Sequence, residues 1–69
     1  MMIKRDKEQE ILEIFDLLEV ILKIENANME QYWNLLLLTE YINFDLGYKY
    51  DDKIKQMLDM GELKEKGVI

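Results

Sequence analysis

Apolar side chains recur at helical spacing over the first third of the chain. Residues 11, 14, 15, 18, 21 and 22 are all apolar, which is the i, i+3, i+4 pattern of an amphipathic helix. This pattern predicts a first helix over about residues 5–25. The Asn-Ala-Asn segment at residues 26–28 then interrupts the pattern, so we expect the chain to turn there.

A second helix is predicted over residues 29–46. Asn28 and Gln31 have the spacing of a capping box with Asn in place of Ser or Thr, and Gly47 stands where a helix commonly ends in a left-handed residue. Four consecutive leucines, at positions 35–38, lie inside this helix. Successive helical residues point about 100° apart, so the four leucines face four directions.

A shorter third helix is predicted over residues 51–60. Asp51 is the expected cap, Asp52 falls in the first turn, and Gly61 is expected to end the helix. Residues 61–69 then form a tail or one further turn. The chain has no Pro and only three Gly, so the expected fold is all-α: one domain over residues 1–69, in which two long helices form a hairpin and a short third helix follows.

The predicted helices carry more apolar surface than one small chain can bury. Apolar residues span roughly 180° of the first helix, against the stripe of about 100° that is typical of a helix on one core, and they surround most of the second helix. A domain of about this size buries only about 60% of its unfolded surface. With no Cys and no His, disulfides and the commonest metal ligands are absent. We therefore expect a homodimeric helical bundle, and an unidentified protein partner as well.

The second helix has two opposed apolar sides, and each is assigned a contact. The side expected to face its own hairpin contains Leu35, Leu38 and Ile42. The predicted association surface consists of Trp33, Leu37, Tyr41 and Phe44 on the second helix, with Ile14, Leu18 and Ile21 on the first helix.

The charge pattern argues against nucleic-acid and membrane partners. The net charge is −6, with ten acids and four bases in residues 1–48 and five of each in residues 49–69. Such a surface repels phosphate and anionic lipid. The sequence shows neither a secretion signal nor an apolar run approaching the roughly 20 residues of a membrane span, so a cytoplasmic protein is expected.

The residue types that catalysis uses are mostly missing. The chain contains no Ser, Cys or His, and its single Thr, Thr39, falls inside the predicted second helix. Catalysis by a triad of nucleophile, base and orienting acid is therefore excluded. The segment from residue 45 to residue 56 has the length of a calcium loop, but Gly47 and Lys49 occupy ligand positions and Gln56 replaces the closing Glu. We expect no enzyme activity, no cofactor and no metal site.

Two functions remain after these exclusions. The first is a small acidic helical module that regulates or inhibits a protein partner by binding it through apolar helix faces. The alternative is an acidic mimic of nucleic acid, because Glu13, Asp16 and Glu19 follow one another along the polar face of the first helix. Affinity would fall steeply with salt for a mimic and hardly at all for apolar binding.

Overall fold

Three helices and their connections make up the described part of the molecule, which in this computed structural model is residues 6–69. In chain order, α1 covers Lys7–Lys23, α2 covers Met29–Asp45 and α3 covers Asp51–Glu65. No strand occurs in residues 6–69. The predicted all-α class is confirmed for this part of the chain, whereas the predicted start of the first helix at residue 5 lies outside it.

The backbone conformation changes at both ends of the first helix, and the sequence predicts these ends in part. The Asp6 carboxylate accepts a hydrogen bond from the Glu8 N–H at 3.0 Å and so caps the N-terminus of α1. Ile24 has an extended conformation and ends the helix. Asn26 then adopts a positive φ of 61°, which Asn tolerates better than most residues. The turn between α1 and α2 therefore lies where the Asn-Ala-Asn segment predicted it.

The boundaries of α2 agree closely with the prediction. The Asn28 side chain accepts from the Glu30 N–H at 3.0 Å, as expected of a cap. The helix ends at Asp45, and Gly47 takes the predicted left-handed conformation with φ 69°. Tyr48 follows it with φ 64°, and its N–H donates to the Asn43 carbonyl at 2.9 Å.

The third helix differs most from the prediction. It has 15 residues, against 17 in each of the other two, and it continues through Gly61, so the expected end at Gly61 is wrong. Gly61 is buried because α3 approaches α2 closely there: a Cβ atom at this position would lie 2.5 Å from Tyr32 Cε1 and 2.7 Å from Trp33 Cη2. This glycine therefore permits close packing between helices.

The start of α3 also requires a correction, because Asp51 does not cap it. Tyr50 holds the cap position and makes no side-chain capping bond. The Asp51 carboxylate instead accepts from Asn43 Nδ2 at 2.6 Å, while Asn43 Oδ1 accepts from the Tyr50 N–H at 2.8 Å. The buried Asn43 amide thus joins the end of α2 to the start of α3.

The core lies where α2 packs against both α1 and α3. Tyr32 and Thr39 are fully buried in α2, and each has a hydrogen-bond partner, since the Tyr32 hydroxyl donates to the Met57 carbonyl and the Thr39 hydroxyl to the Leu36 carbonyl. The buried apolar residues are Ile11, Phe15, Leu18, Ile21, Tyr32, Leu36, Ile42, Ile54 and Met57.

Candidate interaction surface

The four consecutive leucines of α2 have different environments. Leu36 is 3% exposed and belongs to the core, while Leu35 is partly buried against it. Leu37 and Leu38 are 50% and 45% exposed. The run therefore serves the core with one half and leaves the other half on the surface.

A groove runs between α1 and α2 on the surface. Its apolar lining consists of Ile14 and Leu17 from α1 and Leu38 and Ile42 from α2. Glu10 and Glu13 complete the lining on the α1 side. We call this depression the α1–α2 groove.

A second apolar depression lies on the outer surface of α2. Leu37, Tyr41, Phe44 and Tyr48 line it together with Glu40. The rings of Phe44 and Tyr48 meet edge to face, with centroids 5.7 Å apart. Residues three and four apart are neighbours on a helix, so Tyr41 adjoins both Leu37 and, in the α1–α2 groove, Leu38. The exposed apolar side chains of the two depressions, Leu17, Leu37, Leu38, Tyr41, Phe44 and Tyr48, are called the open face below.

Trp33 does not belong to the open face, although it was grouped with Leu37 at the sequence level. Its ring lies against Gly61 and meets the Tyr32 ring edge to face, with centroids 5.2 Å apart. Its indole N–H donates to Glu65 Oε1 at 2.6 Å. Trp33 therefore packs α2 against α3 within the chain while remaining only partly buried, and its place in an association surface stays a prediction.

The predicted association residues of α1 are also largely internal. Leu18 has no exposed surface and Ile21 is 9% exposed, so no partner can reach Leu18 while the helices remain packed as they are. Ile14 is half-buried and reaches the surface at the α1–α2 groove. Among residues expected on the intrachain side of α2, Ile42 is buried, whereas Leu38 is largely exposed.

The three acids of the predicted acidic face have unequal environments. Glu19 forms an ion pair with Lys53 of α3 at 2.9 Å, so its charge is largely offset. Asp16 is exposed on α1, and Glu13 lines the α1–α2 groove. The three acids therefore have different surroundings along α1.

Three of the described bases form ion pairs with acids away from the open face or at its end. Lys53 pairs with Glu19, and Lys49 pairs with Glu8 at 2.9 Å. That hydrogen-bonded pairing lowers the pKa of the Glu8 carboxyl and raises the pKa of the Lys49 ammonium. Lys7 pairs with Asp45 at 2.8 Å, joining the start of α1 to the end of α2.

The contacts of two buried polar groups of α2 are not predicted from the sequence. Asn43 joins α2 to α3, and the Tyr32 hydroxyl reaches α3 at Met57. Burial raises the pKa of Tyr32 to about 12. The sequence contains one indication of both groups: Tyr32 and Asn43 are amphipathic or polar, yet they lie at helical angles shared with core residues of α2.

Neither a metal site nor a membrane span is found in residues 6–69. No group of three or more His, Cys, Asp or Glu residues there is placed to hold a metal ion. No helix in this part of the chain combines the length and apolar content needed to cross a membrane. Comparisons with protein-family models, with curated proteins and with solved structures find no match for this chain.

Proposed function

We propose that this chain is a small acidic protein-interaction module, a regulator or inhibitor rather than an enzyme, and that it binds its protein partner through the open face. The observation that carries the proposal is the exposure of neighbouring large apolar side chains on one side of α2: Leu37, Tyr41 and Phe44 are 50%, 67% and 64% exposed.

Exposed apolar side chains are ordinary when they are scattered singly, but contiguous patches mark interaction sites. Tyr41, Phe44 and Tyr48 lie together in the outer depression of α2, and aromatic residues are enriched at the centres of protein interfaces. Each buries a large area with few rotatable bonds, so little conformational entropy is lost on binding.

The alternative function, mimicry of nucleic acid, receives less support from the same side chains. A mimic needs carboxylates that present their charge to a basic protein. The Lys53 ammonium offsets the charge of Glu19, and the remaining predicted members, Glu13 and Asp16, lie on the same helix as the exposed apolar Leu17. We therefore propose apolar binding as the main contribution to affinity.

The test compares three immobilised proteins in lysate of the organism that encodes the chain. They are the wild type, the open-face variant Leu37→Gln with Tyr41→Gln, and a matched control, Leu58→Gln with Leu63→Gln. The control leucines lie on α3 and are 40% and 37% exposed. Their replacement therefore removes exposed apolar surface outside the open face.

The proposal expects at least one protein that the wild type and the α3 control retain and the open-face variant loses, with retention that persists at raised salt. If all three proteins retain the same set, the open face is not a binding surface. If the retained proteins elute with modest salt, charge carries the binding and mimicry becomes the better account.

A further inference from the structure

We infer that α1 pairs antiparallel with α1 of a second copy of this chain, through an exposed apolar ridge made of Leu17, Val20 and Ile24. Asp16 of each copy then lies beside Lys23 of the other. This inference goes beyond the proposed function and does not depend on it. Of the open face only Leu17 takes part, so the outer depression of α2 stays accessible to a different protein.

The ridge lies on the side of α1 opposite the core. Leu17, Val20 and Ile24 follow one another at i, i+3 and i+7, and on a helix they fall within an arc of about 60°. Each of the three is about half exposed. The core residues Ile11 and Phe15 are buried on the other side of the helix. Contiguous exposed apolar surface of this kind marks an interaction site.

The charges along one border of the ridge specify a second copy as the occupant. Asp16 and Lys23 are seven residues apart, so they lie two turns apart on the same border of the ridge. In a two-fold symmetric pair, residue i contacts residue j of the partner wherever j contacts i. Antiparallel α1 helices that cross near Val20 therefore bring each Asp16 to the other copy's Lys23, and two attractive charge pairs form.

Both charged side chains are available for such a contact. Lys7, Glu8 and Glu19 of α1 form ion pairs with later parts of the chain. Asp16 and Lys23 are exposed and form no ion pair within residues 6–69. A parallel pair of α1 helices would place each of these charges opposite its own copy, and like charges in an interface oppose association. The charge pattern of α1 thus favours the antiparallel orientation.

The test uses single charge reversals in the full chain. Asp16→Lys and Lys23→Glu each place like charges at both pairs, so each variant alone should dimerise at least about tenfold more weakly than wild type. Mixed in equal amounts, the two variants regain both attractive pairs and should form a heterodimer with affinity close to that of the wild-type dimer. Sedimentation follows dissociation from about 1 μM to about 1 mM, because an interface of one helix per copy is small and weak.

Matched variants on α3 separate the specific pairs from general effects. Asp59→Lys makes the same charge change as Asp16→Lys on an exposed surface, so both variants weaken the general repulsion between acidic chains. The Asp59→Lys dimer should stay within about twofold of wild type. Val20→Gln removes apolar surface from the middle of the ridge and should weaken the dimer about tenfold, whereas Leu58→Gln, on α3, should not. Thermal melts establish that every variant folds.

Four outcomes would overturn the inference. The wild type could remain monomeric up to about 1 mM, or Asp16→Lys could associate as Asp59→Lys does. The mixture of reversed variants could fail to recover, which would show that the two charges do not face each other across the pair. Val20→Gln could match Leu58→Gln, which would place the association elsewhere. The proposed function would survive each of these outcomes, since the outer depression of α2 is unchanged in every variant.

Discussion

The two sides of α2 are both apolar, but α3 covers only one of them. On the covered side, Tyr32 and Leu36 are buried, and every buried polar side chain has a hydrogen-bond partner in residues 6–69. On the open side, Leu37 and Tyr41 retain half or more of their exposure. One helix thus carries a surface built for stability next to a surface that contributes little to it.

The two sides of α2 also differ in their buried polar contacts. The covered side has the Tyr32 hydroxyl on Met57 and the Asn43 amide on Asp51 and Tyr50. Such buried polar contacts fix how two helices are placed. The open face has apolar and aromatic side chains with acids at its edges, and no buried polar contact is described among them.

The largest expected effect distinguishes neighbouring leucines on the two sides. Leu36→Ala should lower the free energy of unfolding by about 2–5 kcal/mol, because it leaves a cavity in the core. Leu37→Ala should change it by no more than about 0.5 kcal/mol. Urea unfolding followed by circular dichroism measures both. Equal losses for the two variants would mean that the open side is packed as tightly as the covered side.

A smaller effect is expected at Tyr32, on the covered side. Tyr32→Phe should cost about 1 kcal/mol at neutral pH, since it removes the hydroxyl that donates to Met57. The pKa of Tyr32 is raised to about 12 in the folded state, against about 10 when unfolded. Its contribution is therefore complete below pH 10 and is lost as the pH rises through 12.

The alkaline behaviour of the variant tests that assignment. Wild type should lose stability between about pH 10 and 12, and Tyr32→Phe should lose measurably less over the same interval. Unfolding at each pH, with tyrosinate absorbance as the second readout, makes the comparison. Tyr41→Phe is the matched control from the open face, and an identical pH dependence for the two variants would contradict the role of Tyr32.

The contact between α2 and α3 is expected to be sensitive at Gly61. Gly61→Ala gains about 1 kcal/mol of helix propensity, but its new methyl group would meet the rings of Tyr32 and Trp33. Overpacking of this kind costs about 1–3 kcal/mol, so a net loss of about 1 kcal/mol is expected. Glu62→Ala, on the exposed surface of the same helix, serves as the control, and a Gly61→Ala protein more stable than wild type would show that α3 can move away from α2.

The smallest expected effect concerns the exposed pair of Glu8 and Lys49. The pKa of the Glu8 carboxyl is lowered by its hydrogen bond with Lys49, so the pair's contribution is present above the ordinary pKa and disappears as the pH falls through the lowered value. Lys49→Gln should return the Glu8 pKa toward its ordinary range and barely change stability. A carboxyl titration by nuclear magnetic resonance checks this, and an unchanged Glu8 pKa in the variant would show that the pair does not form.

Local patterns in the sequence predicted the helices well. Contacts between residues that are distant in the chain could not be predicted from such patterns. The cap at Asn28 and the left-handed Gly47 depend on their immediate neighbours, so spacing alone revealed them. Gly61 looked like a helix end for the same local reason. Its burial depends on rings about thirty positions earlier in the chain, at Tyr32 and Trp33, which no local pattern contains.

For the candidate surface too, the sequence predicted the local grouping of residues but not the contacts between distant ones. Helical angles grouped Leu37, Tyr41 and Phe44, and all three are exposed together. The same angles placed Trp33 beside them, because the sequence does not show where α3 lies. Whether these residues bind a partner stays a prediction.

The most direct test follows amide resonances of the isotope-labelled chain as a protein that the wild type retains and the open-face variant loses is added. We predict that the shift changes concentrate on the open face, near Leu37, Tyr41 and Phe44, and that the exposed surface of α3 near Asp59 and Glu62 is unaffected. Changes centred on α3, or spread evenly over the molecule, would contradict the claim that the uncovered side of the hairpin is the binding surface.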